Sequence, residues 1–410
     1  MLSRIIKKIG ALSSGSLISV LINAASYPII TQIYAPSDYG EYSMLIFYSA
    51  IFASSSLLKL DLIIPTLTDV SKARQYSFVA LVNIALVSVV GGSLSIIFLE
   101  LSLSKLNLFL LVVLCVSSFG IFTLVGSIIL FHGQALKFGF LIAVQALLAL
   151  AMQITLGVIG FDWHGLVLGY IFSFFISSFL IFLVFCPKDI ITTKKETSPM
   201  GYWTVMRIEK QKWQPNVIQS VLNAVSLNVM IVGVDHIGGK ESAGLFAFCQ
   251  KLLVIPVRLV GNSAKQVLLR ELSLSSYKQA LNVAKNLTFF LGILSLAVFS
   301  GINLISGFLI EIGLGPEWVG VEDFVLPISI WLAFTVFYVP SVSLLNVTGI
   351  PKYHMCYEAV NLTSRFLFIF VSIAFGLSEI EFVYITSVLN AFLCIFLILI
   401  TFYISSGDKI

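Results

Sequence analysis

Apolar residues run through this chain in stretches of about twenty, and polar residues are confined to short intervals between them. Twelve stretches fall at approximately 10–34, 42–66, 77–99, 106–131, 138–160, 164–186, 216–238, 244–270, 286–310, 324–347, 359–377 and 382–404. A helix of that length spans roughly 30 Å of hydrocarbon. Lipid offers the backbone no hydrogen-bond partner, so each stretch is expected to be an α-helix. The longest interval, Pro187 to Pro215, separates six spans from six. The pattern predicts an all-α integral membrane protein with a bundle of six helices over 1–186, a cytoplasmic linker over 187–215 and a second six-helix bundle over 216–410. In the linker, Tyr202, Trp203, Met206 and Trp213 lie among Arg207, Lys210 and Lys212. That mixture suits either an interfacial amphipathic helix or a solvated connector.

Composition agrees with the pattern. Hydrophobic residues make up 58% of the 410 residues and charged residues 11%, with a mean hydropathy of +1.02. A soluble domain keeps about a quarter of its residues charged. The charges are also sided. If the N-terminus is cytoplasmic, the inner segments hold seventeen Lys and Arg residues, from Arg4, Lys7 and Lys8 to Lys352 and Lys409, and the outer segments only Lys105 and Lys240. The positive-inside rule then puts both termini in the cytoplasm. The opening MLSRIIKKIG is charged like a signal peptide, but no small-residue cleavage site follows, so the first span is expected to be retained. The net charge of +4 reflects this sidedness and does not call for a nucleic-acid partner. Five cysteines, Cys115, Cys186, Cys249, Cys356 and Cys394, lie in or beside spans without metal-ligand spacing.

The halves echo each other. VLINAAS at 20–26 answers VLNAVS at 221–226, which sets Asn23 opposite Asn223. Gly40-Glu41-Tyr42 answers Gly244-Leu245-Phe246, and the turn with Gly133 and Lys137 answers the one with Gly349 and Lys352. Six spans per repeat means both enter from the same side, as parallel repeats around a central cavity. Pro28, Pro65, Pro256, Pro327 and Pro340 mark helices expected to bend or unwind.

Charge inside the spans is the candidate chemistry. In CQKLLVIPVRLVGNSAKQVLLRE (249–271), Lys251, Arg258 and Lys265 recur every seven residues. Seven residues return a helix to within about 20° of the same face. A cation near mid-bilayer costs about 2.5–3.5 kcal/mol on insertion scales, so the stripe is expected to face protein or water. Arg365 adds another positive charge, and Asp61, beside Lys59, is the one acid read as well inside a span. Asp61 is therefore a candidate for a coupling ion, H+ or Na+, or for a salt bridge. The surplus of cations calls for an anionic partner such as a lipid phosphate or pyrophosphate. Asn23, Tyr27 and Asn223 are candidate polar or aromatic lining residues. Tyr27, Tyr34, Tyr39, Tyr42 and Tyr48 suit either sugar stacking or an interfacial aromatic belt.

The segment ALSSGSLISVLINAASYPIITQIYAPSDYGEYSML, with LLKLDLIIP in the second span, resembles bacterial O-antigen and polysaccharide flippases of the multidrug/oligosaccharidyl-lipid/polysaccharide exporter (MOP) superfamily. The likeness in order and spacing covers residues 11–65, with Gln32 and Lys59 where that family commonly has a basic residue and an arginine. The resemblance implies two six-helix bundles around a cationic cavity in the bacterial inner membrane. It implies alternating-access transfer of an undecaprenyl-pyrophosphate-linked oligosaccharide for lipopolysaccharide or a similar polymer. Lys251, Arg258, Lys265 and Arg365 would hold the pyrophosphate, and a polysaccharide polymerase and chain-length regulator would be partners. The alternative is a cation-coupled multidrug antiporter of the same superfamily. A membrane glycosyltransferase or polymerase fits less well, because the outer connectors are short and HExxH, GxSxG, P-loop and DxD patterns are absent. His132, His164, His236 and His354 are read as solvated or capping residues near span ends. The chain is expected to be no enzyme and to need no cofactor beyond a coupling ion.

Overall fold

Local chemistry fixes the ends of the apolar stretches. The Asp69 carboxylate accepts from the Ser71 backbone N–H at 2.8 Å and caps the helix Val70–Phe98. Ser378 and Glu381 form a reciprocal capping box at the start of Glu379–Ser406. Gly160 (φ 96°) and Gly376 (φ 66°) end the fifth and eleventh spans in the left-handed region that only glycine enters without strain.

The computed structural model describes residues 22, 25–99, 101, 103–185, 202–257, 268, 277–348, 350 and 352–406. It is all-α. Among the described residues, nine helices are long and apolar enough to cross a membrane. One of them, Lys210–Val257, carries two of the expected spans, joined without a loop at Gly239, whose φ of 82° breaks the helical path. Lys240 and Asp235 pair across that break at 2.9 Å. The first expected span is described as helix from residue 25 to 33. The second is split into Pro36–Ala53, Leu60–Ile63 and a 3₁₀ turn at Ile64–Thr66.

The chain divides into two compact units, one of Glu41–Leu227 and one joining the segment up to Gly40 to the segment from Asn228 onward. In the first, Val70–Phe98 packs on Lys105–Phe131, Ala135–Val158 packs on Trp163–Phe185, and Lys105–Phe131 meets Trp163–Phe185. In the second, Tyr277–Gly313 packs on Val321–Phe337, Lys352–Phe375 packs on Glu379–Ser406, and Val321–Phe337 meets Glu379–Ser406. The same three pairings thus recur in chain order. The repeat read from scattered motifs is also a repeat of packing.

Between Val70–Phe98 and its neighbours in the first unit lies a core of Leu57, Leu60, Ile63, Ile64, Tyr76, Val79, Ala80, Ile84, Leu124 and Val205. Val205 belongs to the short helix Tyr202–Ile208, which turns Trp203 outward and Val205 inward. The Tyr202 hydroxyl donates to Asn83, and the Tyr76 hydroxyl donates to the buried Glu209 at 2.9 Å. These bonds tie the described part of the linker to the helix Val70–Phe98.

In the second unit, the two glycines matched by the repeat touch each other. A Cβ on Gly40 would overlap the Lys240 carbonyl oxygen, and one on Gly244 would overlap that of Pro36. Each would also lie within 3.2 Å of the other glycine's amide nitrogen. Both helices need a residue without a side chain here.

Candidate functional site

The helix Lys352–Phe375 inverts the usual membrane pattern. Its buried face reads His354, Tyr357, Asn361, Arg365, Ile369 and Ser372, spaced three or four residues apart as one helical side requires. Phe366, Leu367, Phe370 and Ile373 are exposed on the opposite side. Apolar residues are turned outward, where lipid receives them, and the ionisable ones are turned into protein.

On that inner face His354 Nε2 lies 3.4 Å from Glu358 Oε1, one turn along the helix, and their side chains are only 10% and 13% exposed. Seven residues beyond Glu358, Arg365 is buried and sets its guanidinium 4.6 Å from the centre of the Trp331 ring. Glu358 acts electrostatically on Arg365 and on Tyr338, Tyr357 and Cys394. The Tyr357 hydroxyl meets Cys394 Sγ at 3.2 Å and accepts from Asn390 Nδ2 at 3.3 Å. Tyr338 stands 5.5 Å from Tyr357 between ring centres and 6.3 Å from His354. Three segments, Val321–Phe337 with Tyr338, Lys352–Phe375 and Glu379–Ser406, therefore close a polar network inside one unit.

Sequence reasoning missed this network because it started the eleventh span at residue 359, which left His354 and Glu358 outside. The structure starts the helix at Lys352. Hence Asp61 is not the lone acid within a span, and His354 is neither solvated nor single. The signal was present: His354, Glu358 and Arg365 stand four and seven residues apart, the same helical-face test that found the stripe at 251–265.

The expected site residues fall in several places. Asn23, Arg258 and Lys265 lie outside the described residues. Lys251 is exposed, with Nζ 5.8 Å from the centre of the Tyr27 ring and 5.5 Å from that of Tyr39, in cation–π range. Tyr27 is buried edge-on against Phe248 at 5.3 Å. Phe248 meets Trp318 at a tilt with ring centres 4.5 Å apart, and the Trp318 indole N–H donates to the Tyr34 carbonyl at 3.2 Å. Asn223 is exposed on the first part of Lys210–Val257. Asp61 and Lys59 lie together at the break in the second span, each half-buried, with Lys59 acting electrostatically on Asp61. Leu58 (φ 50°) and Lys59 (φ 58°) hold left-handed backbone there, at about 1–2 kcal/mol each for residues with a Cβ. Ser54, Ser55 and Ser56 donate their hydroxyls to the carbonyls of Ile51, Phe52 and Ala53, competing with the helix as it ends.

No protein-family model matches the sequence, and no curated protein matches it. Solved structures do. A multidrug-resistance MATE-family transporter of the MOP superfamily in an inward-facing conformation aligns with a TM-score of 0.65 at 14% identity, over 96% of each chain. One in an outward-facing conformation aligns at 0.62 and 13%, over 100% of this chain and 97% of that one. A MOP-superfamily transporter from Pyrococcus furiosus, described as having a binding pocket of reverse polarity that suggests a different function, aligns at 0.54 and 13%, over 97% and 93%. At these identities the likeness is one of fold: the chain has a multi-pass, all-α architecture like that of these transporters.

This corrects the expectation of a flippase for undecaprenyl-pyrophosphate-linked oligosaccharide, and with it the O-antigen and lipopolysaccharide assignment and the polymerase and chain-length partners. Two of the structures that share the fold from end to end are multidrug-resistance transporters. The physical premise changes as well. The anionic lipid was invoked to balance cations that had Asp61 as their one intramembrane acid, and Glu358 is a second, within electrostatic reach of Arg365.

Proposed function

We propose that the chain is an ion-coupled antiporter of small organic solutes, with organic cations as the first class to test, working by alternating access in the bacterial inner membrane with both termini cytoplasmic. The observation that carries this reading is the end-to-end fold likeness to multidrug MATE transporters in both inward-facing and outward-facing forms. Ionisable side chains on the inner face of Lys352–Phe375 support it. Charge within a span is costly and is found where an ion or a solute moves. The orientation rests on the excess of Lys and Arg in the segments read as cytoplasmic.

The test uses the full chain reconstituted in liposomes, with ethidium as a cationic probe and carboxyfluorescein as an anionic one. An imposed proton or Na+ gradient is expected to drive ethidium movement, and its dissipation to stop it. Movement of carboxyfluorescein in place of ethidium would reverse the charge class of the solute. If neither gradient drives either probe, the antiport reading fails.

A further inference from the structure

We propose that His354 and Glu358 together form a proton-binding site, and that this pair is where proton movement is coupled to transport; the coupling role, though not the binding itself, rests on the antiport reading. Three features lead here. The pair is almost sealed from solvent within a span. Its 3.4 Å approach is an ion-pair contact, and the imidazole Nε2 has no hydrogen-bond partner. A fixed positive charge, Arg365, lies on the same buried face and within electrostatic reach of Glu358.

The surrounding chemistry favours a proton over a metal cation. A hard cation such as Na+ is held by several oxygen ligands, typically carboxylates and carbonyls. The groups acting on Glu358 are instead an imidazole, a guanidinium, two phenols and a thiol, from His354, Arg365, Tyr338, Tyr357 and Cys394. Among the described residues no group of three His, Cys, Asp or Glu side chains is placed to hold a metal. The segment Val339–Val347 contributes no titratable side chain. On the pair's own helix Lys352 stands over the Tyr353 ring at 5.3 Å, and Glu322, Asp323, Glu379 and Glu381 lie in the first turns of their helices.

The two states differ by one positive charge. Without the extra proton, a neutral imidazole faces a carboxylate, and that carboxylate offsets Arg365. One proton entering from water makes His354 an imidazolium beside the Glu358 carboxylate, which then has two cations to serve. The network gains one positive charge in a low-dielectric setting. Arg365 is left to rely more on the Trp331 face, to which it is already apposed. Loading and unloading a proton thereby shifts the balance of attraction between Lys352–Phe375 and Val321–Phe337, which gives protonation a mechanical output.

The test does not require a transported solute. Acid–base difference infrared spectra of the reconstituted chain should show an imidazolium band that appears on protonation and a carboxylate band that shifts with it. Glu358→Gln should remove the carboxylate component, Glu358→Asp should keep it, and His354→Gln should move its midpoint. An unchanged titrating component in both Glu358→Gln and His354→Gln overturns the proposal. The Asp variant shows whether loss follows from the missing charge or from misfolding. Coupling is read separately: proton-driven ethidium movement should fall about tenfold or more in Glu358→Gln. Loss of the bands in a protein that moves no probe keeps the proton site and discards antiport. Full proton-driven movement in Glu358→Gln keeps antiport and discards the site.

Discussion

The helices Ala135–Val158 and Lys352–Phe375 occupy the same place in the two repeats, and they carry different chemistry. Each follows a turn, packs on the helix after it, and ends at a left-handed glycine, Gly160 in one and Gly376 in the other. With those glycines set against each other, Phe138, Ile142, Gln145 and Ala149 fall opposite His354, Glu358, Asn361 and Arg365. Only the amide is shared. Gln145 donates to the Ser173 hydroxyl at 3.1 Å, and Gln153 donates to the Leu166 carbonyl at 3.1 Å. Neutral side chains thus suffice to join a helix to its neighbour at this position of the fold. The three ionisable groups in the second copy exceed what packing requires, and that surplus is the reason to assign them a task.

Four substitutions test how far that asymmetry goes, each read as the shift in free energy of detergent-titrated unfolding. Arg365→Leu should have the largest effect, about 3–5 kcal/mol, because it removes the buried guanidinium within electrostatic reach of Glu358. Adding Glu358→Leu to that variant should recover most of the loss, since an apolar pair avoids the stranded charge; a strictly additive double variant would show that the two do not act on each other. Ala149→Arg places the charge in the first copy, where no acid is matched to it, and should cost about 2.5–3.5 kcal/mol. If it costs nothing, position and not function explains the difference between the helices. Gln145→Leu should be the mildest at about 0.6 kcal/mol, the usual worth of one hydrogen bond between membrane helices.

Much of the architecture could be read from hydropathy alone, because a lipid solvent leaves the backbone little choice. The positions of the spans followed from apolar length, and the repeat followed from matched turns such as Gly133-to-Lys137 and Gly349-to-Lys352. The polar network escaped because a hydropathy window ends a span where charge begins. A helix whose charges face inward does not end there, and His354 and Glu358 were lost to that boundary. The break at Leu58 and Lys59 was hidden for a different reason. Neither residue is one that favours left-handed backbone, and the local sign was the serine run just before them. The flippase expectation had a third cause. Its motif covered residues 11–65, and a resemblance over so short a part of the chain carries little about the solute handled by the rest.

The meeting of Gly40 and Gly244 has a consequence for how these helices hold together. With no side chains between them, each glycine turns its Cα hydrogens toward a carbonyl on the opposite helix, that of Lys240 or of Pro36. Such Cα–H···O contacts contribute about 0.5–1 kcal/mol apiece. Beside this crossing larger side chains continue the contact, with Tyr39 edge-on against Phe248 at 5.4 Å. The joint is close enough to reject a methyl group on either helix.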